Sequence, residues 1–141
     1  MKIMIVVVNK MKWKIDHEMS SLIPLGFMEI VAEKAIRWFL KKHDLIDNDP
    51  HEFGYRNIEL SLKKYEHISC WGSCLQKKYG GTTYAMEIAV DQPLRSFIAT
   101  VMHEMIHILQ WETLQWEGDG EKEAEDKQYE LTDEFWKAGL I

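Results

Sequence analysis

The chain has 141 residues, 46% of them hydrophobic and 28% charged, with a formal net charge of -6. That length is most economically one domain with its own core, and the apolar share excludes a chain dominated by disorder. The negative charge argues against general affinity for phosphate backbones, and no run approaches the roughly 20 apolar residues that span a bilayer.

The N-terminal segment Lys2 to Val8 (KIMIVVV) is continuous and β-branched, the pattern of a buried strand. Its apolar core is too short for a signal peptide and runs straight into lysines, so a cytoplasmic protein is expected. Cys70 and Cys74 fit a reducing compartment. A disulfide between them would close only a tiny loop, and free, buried thiols are expected.

From about His17 to His43 the pattern turns helical. Phe27, Ile30, Val31, Lys34, Ala35, Trp38 and Phe39 recur at three- and four-residue steps, with Glu29, Glu33, Arg37 and Lys41 facing out. Asp47 to Gly54 (DNDPHEFG) is rich in turn formers and reads as a loop. Ile58, Leu60 and Leu62 then alternate with polar residues, which predicts a half-buried strand, and Lys64 to Ser69 either continues it or forms its hairpin partner. After a turn at Tyr79 to Gly81, TTYAMEIAVD sets Tyr84, Met86, Ile88 and Val90 on one face, a second clear strand. Pro93 suits a first helical turn and opens a helix to about Trp111. Residues 118–120 (GDG) break it. A last helix is expected from Glu121 to Lys137, burying Ala124, Gln128, Leu131 and Phe135.

The helix before the break contains VMHEMIHILQW, residues 101–111. With Ile98 as the reference, Val101, Met102, Met105, Ile106, Ile108 and Leu109 fall within about 80° on a helical wheel. His103 and His107 fall at about 140° and 180°, and Glu104 at about 240°. The helix therefore has a complete core face without either histidine, and the two imidazoles point together elsewhere. Imidazoles at i and i+4 can chelate one ion, which lowers the pKa of bound water toward about 7, and the adjacent carboxylate can take its proton. The competing reading is a buried helix whose histidines are hydrogen-bonded core residues. Mid-helix position, a free common face and a preceding strand favour the metal site.

A catalytic zinc has three protein ligands and keeps one position for water. No histidine follows His107, and Gln110 and Thr113 stand where the metzincin extension needs glycine and histidine. The downstream acids Asp119, Glu121, Glu123, Glu125 and Asp126 are the candidates for the third ligand.

The strand, turn, HEMIH helix and acid-rich EKEAED opening of the next helix resemble the zincin peptidases, most closely small gluzincins, whose third ligand is a glutamate from the next helix. That glutamate often precedes an alanine, so the resemblance implies Glu123, before Ala124, as third ligand, with Glu121 second and Asp119 third. The stretch WGSC, residues 71–74, is also similar to the SprT-like and YgjP-like zinc peptidases. Those use a later histidine in a His-Gly segment, where this chain has Asp119-Gly120.

The resemblance implies an α+β, zincin-like fold and a single metallopeptidase domain over residues 1–141. Zinc would sit on His103, His107 and Glu123, with Glu104 as general base and a peptide or protein as substrate. The strand at 83–90 would lie at the lip of the cleft. Tyr84, Tyr129 and His67 are candidates to polarise the scissile carbonyl, and Trp111 to border the groove. Trp71 reads first as a core aromatic; His67, Cys70 and Cys74 offer soft ligands for a second zinc without a full set of four. A non-catalytic zinc-binding interaction protein on the same scaffold is the alternative.

Overall fold

The computed structural model describes residues 3–8 (backbone alone), 25–45, 56–79 and 81–141. The expected loop at Asp47 to Gly54, and the part of the first helix before residue 25, lie outside the described residues.

The chain builds an α+β fold on a mixed sheet. Its strands are β1 (Ile3–Val8), β2 (Arg56–Lys63), β3 (Gly72–Gln76) and β4 (Thr83–Ala89). Their order is β1-β2-β4-β3, with β1, β2 and β4 parallel and β3 antiparallel to β4. The helices are α1 (Leu25–Lys42), the one-turn α2 (Tyr65–Ile68), α3 (Leu94–Thr113) and α4 (Glu121–Lys137). Alternation explains how the central strands meet. Ile58 pairs with Tyr84, Leu60 with Met86 and Leu62 with Ile88, and all six are fully buried. The period-2 pattern thus turns one face of the sheet into a continuous apolar floor.

Helix α3 lies against that floor with Ile98, Val101, Met102, Met105 and Ile108 in the common core, as the wheel predicts. Helix α1 joins the core through Met28, Val31, Ala32, Ala35, Ile36 and Phe39. That stripe is offset from the expected one: Ile30 is 50% exposed and Phe27 39%. The buried stripe keeps Val31, Ala35 and Phe39 of the expected one but is rotated toward Met28, Ala32, Ile36 and Leu40, so two overlapping apolar repeats run through this segment. Helix α4 spans the expected residues and buries Ala124, Leu131 and Phe135. Trp38 meets Phe135 edge to face at 5.7 Å between ring centroids, linking α1 to α4.

Two local expectations need correction. Residues 64–69 neither continue β2 nor pair with it. They form α2, where the Tyr65 N–H donates to Asp91 Oδ1 at 2.8 Å and Ser69 closes the turn in the left-handed region at φ 57°. The sheet also has an edge strand the alternation does not announce. Residues 72–76 (GSCLQ) are half-buried or exposed throughout, so β3 lacks the apolar period that marks β2 and β4. Strand β4 is consequently internal, and β3 forms the lip near α3.

Gly72 lets that lip come close. A Cβ there would stand 2.4 Å from Thr100 Cγ2 and 3.2 Å from Glu104 Oε2. Gly72→Ala is therefore expected to cost about 1–3 kcal/mol as an overpacking change, read as a lowered urea midpoint. Adding Thr100→Ser, which removes the clashing methyl and keeps the hydroxyl, should restore part of that loss. Additive losses in the double variant would contradict this packing.

Candidate metal centre

His103 and His107 lie one turn apart on the side of α3 that faces α4, with ring centroids 5.1 Å apart. Each imidazole is held at Nδ1. His103 Nδ1 donates to Gln128 Oε1 at 2.7 Å, and His107 Nδ1 donates to Gln110 Oε1 at 2.9 Å. The orientation of the second amide follows from its own donors: Gln110 Nε2 reaches the Gly120 carbonyl at 3.0 Å and Glu123 Oε1 at 2.9 Å. With Nδ1 carrying the hydrogen, both neutral rings present the lone pair on Nε2.

Those two nitrogens converge on one carboxylate. Glu121 Oε2 lies 3.1 Å from His103 Nε2, and Oε1 lies 2.7 Å from His107 Nε2. His103, His107 and Glu121 form a group that can hold a metal ion, with ligand atoms all within 4.8 Å of one another. In the tautomers set by the glutamines, these contacts bring lone pair against lone pair. That arrangement calls for a second proton on each ring or a cation among the three groups. Two imidazoles and a carboxylate suit zinc and other borderline divalent ions.

Glu121, and not Glu123, which the resemblance puts first, completes the group that can hold an ion. Helical phase explains the difference. Ala124 is fully buried against α3. A residue three positions earlier lies about 60° from it around the helix, whereas the residue immediately before lies about 100° away. Glu121 and Gln128 therefore share Ala124's face, and Glu123 turns toward Gln110 and Lys127, whose Nζ is 3.1 Å away. The hydrogen bond from Gln110, then that from Lys127, holds the Glu123 carboxyl below its ordinary range. Asp119 instead accepts the Glu121 N–H at 3.0 Å, fixing the first turn of α4.

Gly120 makes the helix crossing possible. Its φ of +81° is in the left-handed region, and a Cβ there would fall 2.2 Å from Gln110 Oε1. Gln110 is thus buried at a junction of His107, Gly120 and Glu123. Neither Gln110 nor Gln128 was expected as a site residue. Their signal is positional: Gln110 lies three residues after His107, and Gln128 one turn after Ala124 on the same stripe.

Glu104 is buried on the neighbouring face of α3 and borders the cleft under Gly72. Burial raises its pKa, while His103 and His107 pull the other way. The cleft has a volume of about 720 Å³ and runs along the start of β3, the first half of α3 and α4, reaching His103 and Glu104. Trp71 is half exposed on its wall, not a core aromatic, and stacks at a tilt on Tyr65 at 4.5 Å. Tyr129 lines the same cleft. Tyr84 does not. It is fully buried and stacked on Trp111 at 5.9 Å, so both rings back the site from the core side. His67 sits in α2 beside Glu66, away from the cleft lining. Cys70 and Cys74 are free, half-buried thiols. Among the described residues no second cluster of metal-ligating side chains includes them. Burial raises the pKa of the Cys74 thiol, which keeps it protonated and inert.

The chain matches no protein-family profile, no curated protein and no solved structure. Among the described residues, no helix is long and apolar enough to cross a membrane.

In protein supplied with zinc as the probe ion, Glu121→Ala should abolish stoichiometric binding and Glu123→Ala should retain it. Gln110→Ala, which frees the His107 ring, should weaken zinc affinity by about 10- to 100-fold, the usual effect of losing an orienting partner. Competition against a chromophoric chelator measures all three. Zinc lost from Glu123→Ala but kept by Glu121→Ala would reverse the assignment.

Proposed function

We propose that this chain is a zinc-dependent metallopeptidase in which His103, His107 and Glu121 hold the ion and Glu104 is the general base. The supporting observation is the convergence of both Nε2 atoms and one carboxylate, with each opposite ring nitrogen anchored, beside a buried glutamate at an open cleft. Zinc in such a site supplies a Lewis acid that polarises a peptide carbonyl and brings water to a pKa near 7.

The remaining work falls to the chain's own groups. Glu104, one residue from a ligand and held away from bulk water, would accept the proton from the attacking water and pass it to the departing amine. Its burial keeps the carboxyl more basic than an exposed one, which suits that exchange near neutral pH. An orienting glutamine behind each imidazole holds both rings in place before substrate arrives. Strand β3 pairs only with β4 among the described residues, so its outer edge offers main-chain donors and acceptors to an extended peptide. Tyr129 is the surviving candidate of the three side chains considered for polarising the carbonyl, since it alone lines the cleft. A purely structural metal site would not need Glu104 beside it, and the buried carboxylate supports the catalytic reading over that one.

Zinc-loaded protein should hydrolyse an unfolded polypeptide, stop when the metal is chelated and recover when zinc is returned. Glu104→Gln should keep one zinc per chain and lose about 10²- to 10⁴-fold in rate, the span of general-base catalysis. Fragment analysis by mass spectrometry with parallel metal content decides it. Turnover of the variant at the wild-type rate would remove Glu104 from the mechanism.

A further inference from the structure

The acids of EKEAED at the start of α4 are all but one engaged. Glu121 faces the two histidines, Glu123 accepts from Gln110 and Lys127, and Asp126 pairs with Lys122 at 2.9 Å. Glu125 forms no hydrogen bond or ion pair among the described residues, and it lines the cleft that reaches His103 and Glu104. Both lysines on that stretch of helix are already held by other carboxylates.

The rest of the cleft is lined by aromatic, small and uncharged polar side chains besides His103 and Glu104. Its walls carry the exposed aromatic rings of Trp71 and Tyr129 together with Gly72 and Pro93, and neither lysine nor arginine lines it. Arg95, which does not line the cleft, lies 4.5 Å over the Tyr129 ring. It is paired with Asp133 through a two-pronged contact at 3.2 Å. Aromatic faces attract cations, and long aliphatic stems pack along them while the charged head stays near water.

We infer that the cleft takes a lysine or arginine side chain of the substrate next to the scissile bond, its stem along the aromatic walls and its cationic head at Glu125. This rests on the peptidase reading and adds a substrate class to it. Glu125 is then a specificity residue that leaves the ligand set untouched.

The test uses zinc-loaded protein and three peptide hydroxamates that differ only in the side chain beside the hydroxamate: lysine, its uncharged isostere norleucine, and glutamate. Calorimetry should give the lysine compound about tenfold tighter binding than norleucine, with glutamate weakest. In Glu125→Gln the lysine advantage should fall toward parity, and in Glu125→Lys the order of lysine and glutamate should invert. Glu125 is exposed on a helix surface, so neither change burdens folding. Equal binding of lysine and norleucine by wild type, or an advantage that persists in Glu125→Gln, overturns the inference and leaves the peptidase reading standing. Failure of all three hydroxamates to bind overturns both.

Discussion

The site depends on the close crossing of α3 and α4 at Gln110. One buried amide bonds the His107 ring, the Gly120 carbonyl and the Glu123 carboxylate at once. Only glycine fits beneath it at position 120, and Ala124 is small enough one turn later for the helices to stay in contact. Once that crossing is set, Glu121 and Gln128 are carried to the two histidines by helical phase alone. A larger residue at 120 or 124 would separate Glu121 from the two histidines.

The same economy governs the other side of α3. Gly72 brings the edge strand down over Glu104, so the strand that forms the lip also keeps the carboxylate out of bulk water. Burying a carboxylate is costly unless charge or hydrogen bonds compensate. Here the flanking imidazoles oppose the effect of burial, and a cation bound to them would do so more strongly. The fold thus holds a buried Glu104 beside the two imidazoles.

Much of this was legible from residue order. The period-2 runs at Ile58 to Leu62 and Tyr84 to Val90 declare the central strands because each buries one face completely. The helical wheel separates the core face of α3 from His103 and His107, and the GDG tract places the break before α4. Strand β3 was hidden because an edge strand half open to solvent has no reason to alternate. The offset of α1 was hidden because two apolar repeats coexist, and only tertiary packing chooses between them. The choice of Glu121 over Glu123 needed the phase of α4 relative to α3. The tight contact of Gly120 on Gln110 fixes that phase, and no local preference among three acids in one turn could.

Crystals of the zinc-loaded protein, measured on both sides of the zinc absorption edge, test the central claim most directly. The account predicts one strong anomalous peak per chain, bonded to His103 Nε2, His107 Nε2 and a Glu121 oxygen, at zinc–ligand distances of about 2.0–2.2 Å. A cluster without a peak, or a peak held by Cys70 and Cys74 instead, would contradict it.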